Sequence, residues 1–561
     1  MAQEIRDANF EALDAESPGL NSDAVRPTSS STPPEPLRLT SPRTTTSAEN
    51  TTPRARSLQW RTSIAMAAIC AGGLVTAFEA LVVATALPSI VSDLSATASE
   101  LAWVGASYFL GSAALQPFWL SFSKLVGRKW AVSVGFLLFA CGSLIAALAR
   151  KPDVLIAGRA VQGLGAGNIS FLCQEIITTQ RDKTPRIQAI HGTTQVFGVI
   201  LGPVMGGLLT SYASWRWLFY IDVIIVGLAL AVVVLCLDLP RFHRDRNRDG
   251  ELEWPGFPGP IDWQGPFWIL MAATGFLYGL QLGVTPLSWD SPVVMCLIFT
   301  GLLTSTIFAI HMVFHRNCII PPWIFSDRSW VGCLAVGFLH GLTYIGCVYY
   351  LPLYLQLVLQ ASPVQSGLWT LIATVPMLSV TFVAGASVFL PRYRYRTAII
   401  SMSAATLTLG IGLSIALASY WNWLLLASVL LLIGAGIGPL LELPLYVLYH
   451  STPASDSTQA RAAFTFTQTL GSVIGLIIGQ ALLQDGLITR MAHAVEGNPD
   501  PVTLLADLDS LPLELQIVLR PILTASLRLV WQFFTITAGM CLLASFLIKH
   551  NAPARPSRQI I

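Results

Sequence analysis

Two glycine-rich stretches decide the fold: residues 158–170 have the sequence GRAVQGLGAGNIS, and residues 198–207 have the sequence GVILGPVMGG. Both lie in long apolar runs. Their glycines recur four residues apart, a spacing that lets two helix backbones approach closely within a membrane. The proline and the paired glycines of the second stretch also make that helix bendable. The helix-packing positions predicted from these stretches are Gly163, Gly167, Gly198, Gly202, Pro203, Gly206 and Gly207.

The composition indicates that most of the chain cannot face water. Hydrophobic residues make up 53% of its 561 residues and charged residues only 11%, whereas a globular domain has about 25% charged residues. The net charge of +2 is too small to favour nucleic acid as a partner. The cysteines form no C-x-x-C pair and no nucleotide-binding loop occurs, so no metal and no cofactor are expected.

The apolar runs predict about fourteen transmembrane helices, because a helix needs roughly 20 apolar residues to cross a bilayer. The predicted spans are 64–88, 101–121, 130–149, 154–177, 191–211, 217–237, 264–284, 293–314, 331–358, 366–390, 397–418, 423–448, 464–485 and 527–548. Most Lys and Arg residues of the connections fall on one side, which the positive-inside rule assigns to the cytosol. Both termini are therefore predicted to be cytosolic.

The same patterns predict the organisation of the chain. A Ser-, Thr- and Pro-rich tail cannot bury enough apolar surface to order itself, and a charged, then Pro- and Gly-rich linker follows the sixth span. The predicted parts are a disordered cytosolic tail (1–60), six spans (61–237), a cytosolic linker (238–263), two spans (264–315), six further spans (328–548) and a cytosolic tail (549–561).

Residues 486–526 form the longest predicted external segment. Apolar and charged residues alternate in it at helical spacing, which favours a helix lying along the membrane surface. A plain linker is an equally good interpretation of this segment.

Taken together, the motifs resemble the major facilitator superfamily. The motif R-x-x-Q-G-x-G-x-G of the fourth span is followed by G-x-x-x-G-P-x-x-G-G in the fifth and by WRWLFYID at 215–222. FEALVVATALPSI at 78–90 and VGRKW at 126–130 agree. The chain most resembles the fungal fourteen-span drug:proton antiporters. That resemblance implies an all-α fold of two pseudo-symmetric six-helix bundles that rock about a central cavity, plus two inserted helices.

The loop between the second and third spans departs from the family pattern. The resemblance implies a gating role for Lys124, Gly127, Arg128 and Lys129. Lys124 stands where the family has an acidic residue that latches the bundles, and a lysine would be repelled by a helix N-terminus. The latch is therefore either rebuilt around Arg128 and Lys129 or absent. Asp222 likewise stands where a neutral amide is usual.

Proton antiport needs a titratable group within the membrane, and Glu79 and Arg159 are the best candidates. A charge inside a span is costly unless it is paired or faces a cavity, and the helical rise places the two residues at similar depths. We expect Glu79 to carry the proton and Arg159 to tune it. The alternative is a static ion pair that holds the first and fourth spans together.

Further polar residues within the spans are expected to face the bundle interior. Glu442 is either a ligand for a cationic substrate, a second proton carrier or a hydrogen-bonded structural acid, whereas His340 is expected mainly to make an interhelical hydrogen bond. Glu175 and Asp222 lie near span ends and are expected to make interface contacts. The predicted substrate-cavity residues are Gln116, Gln162, Gln195, His340, Tyr344, Gln356, Glu442 and Gln468.

The sequence therefore predicts a secondary active transporter and not an enzyme. The first interpretation is a plasma-membrane efflux pump, a monomer in the bilayer, that exchanges protons for a small amphipathic organic compound such as a secondary metabolite, toxin or drug. Multidrug resistance would be its cellular consequence. One alternative is a vacuolar transporter of basic amino acids. An alternative of another class is a non-transporting membrane sensor on the same scaffold.

Overall fold

The structure is a computed structural model. It describes residues 53–96, 98–179, 184–237, 245–246, 252–253, 262–284, 289–315, 320, 322–386, 394–417, 422–452, 456–491 and 513–549. Most of both predicted terminal tails and most of the 238–263 linker lie outside the described residues.

Fifteen α-helices and one two-stranded ladder are present in the described residues. The helices are α1 (Pro53–Leu94), α2 (Ala98–Ala114), α3 (Gln116–Val126), α4 (Arg128–Ala147), α5 (Pro152–Thr179), α6 (Thr184–Tyr212), α7 (Arg216–Cys236), α8 (Gln264–Val284), α9 (Pro292–Phe314), α10 (Arg328–Leu357), α11 (Pro363–Ala386), α12 (Arg394–Leu417), α13 (Trp423–Ser451), α14 (Ser457–Met491) and α15 (Leu513–Ser545). A 3-10 turn covers Pro322–Phe325. The antiparallel strands β1 (Asp245–Arg246) and β2 (Leu252–Glu253) pair within the linker.

The predicted spans correspond in order to α1, the α2–α3 pair, and α4 to α15. By length and composition, eleven helices of the described chain can cross a membrane. α2 and α3 are each shorter than such a helix, with 17 and 11 residues. Residues Arg159, Gln162 and Glu175 give α5 a more polar composition than its neighbours.

Three differences from the predicted spans are the largest. The second span was predicted as one helix, but it breaks at Leu115 because Pro117 has no N–H to donate to the preceding turn. α1 begins at Pro53, within the predicted tail. Of the predicted external segment, residues 486–491 extend α14 and residues 513–526 begin α15, so both ends continue spans. Residues 492–512 lie outside the described part.

The first and last six spans repeat one packing scheme. In the first half, α5 packs against α2 and α4, and α4 packs against α7; in the second half, α13 packs against α11 and α12, and α12 packs against α15. Each helix named in the second half is the eighth span after its counterpart in the first half. The repeat is completed by the packing of α1 against α6 in the first half and of α10 against α14 in the second. The fold is therefore two equivalent bundles, as expected for a major facilitator protein.

The two bundles meet most extensively where α6 packs on α11 and α2 packs on α14. At the α6–α11 contact the backbones touch: a Cβ on Gly207 would collide with the carbonyl oxygen of Pro363, and one on Gly367 with that of Pro203. α8 and α9 pack on each other, and α8 also contacts α2, α3 and α14. The inserted pair therefore lies beside both bundles.

Candidate functional site

A buried ion pair occupies the interior of the first bundle. Nη1 of Arg159, on α5, contacts Oε1 of Glu79, on α1, and neither side chain has any exposed surface. These two residues were selected from the sequence because a charge within a span must be paired or face a cavity. The structure brings them into direct contact.

Three further contacts fix the Arg159 guanidinium. Nε donates to the carbonyl oxygen of Val104 at 3.2 Å, and Nη1 donates to Oε1 of Gln162 at 2.7 Å. The guanidinium carbon lies 4.3 Å from the centre of the Tyr108 ring, within range of a cation–π interaction. Gln162 follows Arg159 by three residues, so both project from the same face of α5.

Asp222 belongs to the same cluster, a position that was not predicted from the sequence. It was expected to make an interface contact near a span end, but it is fully buried. Nε2 of Gln162 donates to Oδ2 of Asp222 at 3.2 Å and to Oγ of Ser143 at 2.9 Å. The carboxyl groups of Asp222 and Glu79 are also within hydrogen-bonding reach. The departure from the family's neutral amide was the signal that could have identified it.

The second bundle places a tyrosine next to this cluster. The Tyr349 ring, on α10, packs against Gly105 of α2, and its centre lies 6.2 Å from that of Phe109. Tyr349 also interacts electrostatically with Arg159 and Glu79. Tyr349 therefore links the charge of the cluster electrostatically to the interface between the bundles.

A cavity lies between the bundles and contains about 500 Å³ of empty space, part of it open to solvent. Leu81 and Val199 line it from the first bundle, and Tyr344 and Thr374 line it from the second. Nearly all of its lining is apolar. Tyr344 is the one residue predicted for the cavity that lines this space.

Two other predicted cavity residues lie close to Tyr344. The His340 ring stacks on the Tyr344 ring with centres 5.7 Å apart, and Nδ1 of His340 lies 3.3 Å from Nε2 of Gln468 on α14. His340 is fully buried. An interhelical hydrogen bond was the role expected for His340, and this contact supplies one.

The remaining predicted cavity residues are spread through the molecule. Nε2 of Gln356 donates to the carbonyl oxygen of Thr85 at 3.1 Å and so joins the two bundles. Gln116 is buried, and Gln195 is half-buried. Glu442 lies well inside α13, where its side chain keeps accessible surface and interacts electrostatically with Arg461.

The loop predicted to control gating is a single residue, Gly127, between α3 and α4. Its φ of 88° is in the left-handed region that favours glycine. Arg128 forms an ion pair with Glu175 at 3.1 Å within the first bundle, and Lys129 is half-buried. Lys124 lies in α3, but its side chain is outside the described part of the structure.

The predicted glycine positions allow helix backbones to touch, because a Cβ at them would meet backbone atoms of a neighbouring helix. α5 packs on α2 through Gly163, against Tyr108, and Gly167, against Ser112. α6 packs on α1 through Gly198, against Leu74, and Gly202, against Phe78. Gly206 continues this α6 contact against Val82 of α1, and Pro203 and Gly207 contact α11.

Comparison with known families identifies the class of protein. The family model described as Major Facilitator Superfamily matches residues 69–476. The chain belongs to the Major Facilitator Superfamily. It is therefore a secondary transporter held in a membrane by many spans, and not an enzyme.

Several curated relatives from fungi match most of the chain. Efflux pump dotC of Dothistroma septosporum is 30% identical over 87% of this chain and 84% of its own length. The MFS efflux transporter aclA of Aspergillus oryzae is 29% identical, covering 83% and 85% respectively.

A solved structure has the same fold. A bacterial homologue of the human lysosomal transporter Spinster, solved in an inward-facing and unoccupied conformation, aligns with a TM-score of 0.56 and 12% identity, covering 87% of this chain and 98% of its own.

Proposed function

We propose that this transporter exports a small amphipathic organic compound from the cytosol in exchange for protons. The buried Glu79–Arg159 pair is the observation that carries the proposal. A carboxylate inside a span is expensive unless it has a function, and binding or losing a proton changes its attraction for the guanidinium. Exchange at this site would therefore alter the packing of α1 against α5.

The apolar cavity supports the class of substrate. Its walls come from both bundles, so any compound bound there contacts helices that move relative to each other in alternating access. Aliphatic and aromatic side chains with few polar groups suit a ligand that is largely apolar. Relatives named as efflux pumps support the outward direction.

The distribution of Lys and Arg supports the orientation. Under the positive-inside rule both termini are cytosolic, and the plasma membrane is the proposed location. In this orientation, protons entering from outside would drive the compound out.

Uptake into inside-out membrane vesicles tests the proposal. A panel of lipophilic dyes and antifungal compounds is offered from the bath, which represents the cytosol, while the vesicle lumen is made acidic. We expect at least one compound to accumulate, and an uncoupler that collapses the pH gradient to abolish its accumulation. Accumulation that continues without the gradient would contradict proton coupling.

A matched pair of variants assigns the coupling to the buried site. Glu79→Gln removes the buried carboxylate, whereas Asp93→Asn changes a carboxylate on the same helix that is 46% exposed and pairs with Arg216. We expect Glu79→Gln to abolish gradient-driven accumulation and Asp93→Asn to retain it. Equal activity of wild type and Glu79→Gln would contradict the role of Glu79.

The structure offers less support for the two alternatives. Glu79 and Glu442 as cation ligands would suit transport of basic amino acids, but Arg159 already pairs with Glu79 and the described cavity is apolar. Accumulation of labelled lysine or arginine in the same vesicles would favour that alternative. Turnover of any compound would rule out a non-transporting sensor.

A further inference from the structure

The buried cluster contains two carboxyl groups and one arginine. Glu79 and Asp222 both lie within it, and Arg159 is the one cation of the described residues that contacts either of them. With both acids ionised the cluster would have a net charge of −1 and no contact with water. An uncompensated charge in such a place is strongly unfavourable.

The hydrogen bonds point to where the charge is neutralised. Glu79 accepts a hydrogen bond directly from the Arg159 guanidinium, whereas Asp222 accepts one from the neutral amide of Gln162. One oxygen of each acid, Oε2 of Glu79 and Oδ1 of Asp222, is buried with no hydrogen-bond donor among the described residues. Two carboxyl groups that face each other form a hydrogen bond only if one of them carries a proton.

We infer that Asp222 carries an exchangeable proton, while Glu79 stays ionised beside Arg159. Proton binding converts the Asp222 carboxylate to a carboxylic acid that donates to Glu79, and the net charge of the cluster becomes zero. Loss of this proton returns the net charge to −1. This inference rests on the proposed proton coupling. It refines that proposal by placing the exchangeable proton on Asp222 of α7 instead of on Glu79 of α1.

The other charged or titratable groups around the pair come from three further helices. Tyr108 of α2 interacts electrostatically with both acids, and Tyr349 of α10 interacts with Glu79 and Arg159. Arg159 comes from α5. Neither tyrosine supplies a positive charge, so Arg159 remains the sole compensating charge of the described cluster.

Infrared difference spectroscopy tests the inference without a substrate. Purified protein in lipid nanodiscs is titrated with alkali, and the carbonyl stretch of protonated carboxyl groups is recorded. We expect the wild type to lose one such band, and Asp222→Asn to lack that band. Asp222→Glu should retain it, and Asp93→Asn should behave as the wild type.

Isotope labelling keeps the test valid if a variant fails to fold. Wild-type protein with ¹³C-labelled aspartate carboxyls should show the titrating band shifted to lower frequency, and labelled glutamate should leave it unmoved. A band that responds to labelled glutamate, persists in Asp222→Asn, or is missing from the wild type would overturn the inference. Because no transport is measured, failure here is distinct from failure of the vesicle assay.

Discussion

Replacing Arg159 with methionine should destabilise the protein by removing the charge that compensates Glu79. The guanidinium contacts the Glu79 carboxylate, the Gln162 amide at 2.7 Å and the Val104 carbonyl at 3.2 Å, and it is completely buried. Removing one partner of a buried ion pair costs about 3–5 kcal/mol. We expect a loss of this size in the free energy of unfolding.

The double variant Glu79→Gln/Arg159→Met separates a structural role from a functional one. With Asp222 protonated, the double variant leaves no uncompensated charge in the cluster, so we expect it to regain about 2 kcal/mol relative to Arg159→Met, a typical coupling between contacting residues. Gradient-driven transport should not return, because the carboxylate and its partner are both absent.

Equilibrium unfolding in mixed detergent micelles measures the stability of Arg159→Met, Glu79→Gln and the double variant, and vesicle uptake measures their transport. A loss below about 1 kcal/mol for Arg159→Met would refute the argument from burial, since exposed pairs contribute no more than that. Restored transport in the double variant would show that the pair is a static link between α1 and α5.

Three further predictions concern packing and pH. Gly163→Ala should lower the free energy of unfolding by about 1–3 kcal/mol, since its Cβ would meet the Tyr108 carbonyl; Gly227→Ala, with open space around it, should not. Gly127→Ala should cost about 1–2 kcal/mol because of its positive φ, measured by the same unfolding assay. Burial acts to raise the pKa of Asp327, but the Ser329 N–H and the Lys549 ammonium outweigh it and hold that pKa below its usual value. The stabilisation from Asp327 is therefore present above about pH 4 and lost as the pH falls through its lowered pKa. A thermal-unfolding series across this range should show that loss in the wild type and not in Asp327→Asn.

Much of the fold could be predicted because hydrophobic length and small-residue spacing are local properties. A run such as 217–237 must cross the bilayer wherever its neighbours lie, and α7 matches it almost residue for residue. The break at Leu115 was not predicted, although Pro117 was visible in the sequence. Some transmembrane helices tolerate proline because neighbouring groups satisfy the freed carbonyl, so the sequence alone does not say which ones break.

The site was only partly predictable, because it depends on which faces of distant helices meet. Glu79 and Arg159 could be paired from their depths, since a charge in a span needs a partner. Asp222 was missed because depth along α7 does not reveal that its side chain points towards Gln162. The accessible surface of Glu442, deep within α13, could not be predicted either, because it depends on how the neighbouring helices pack.

Proton movement driven by the substrate is the most direct test of proton-coupled export. Purified transporter is placed in liposomes that contain a pH-sensitive dye, and a compound accumulated in the vesicle assay is added outside without any imposed pH gradient. Exchange predicts that protons leave the lumen as the compound enters, so the lumen becomes alkaline, and that Glu79→Gln abolishes this change. Entry of the compound with no change in lumenal pH would contradict the account.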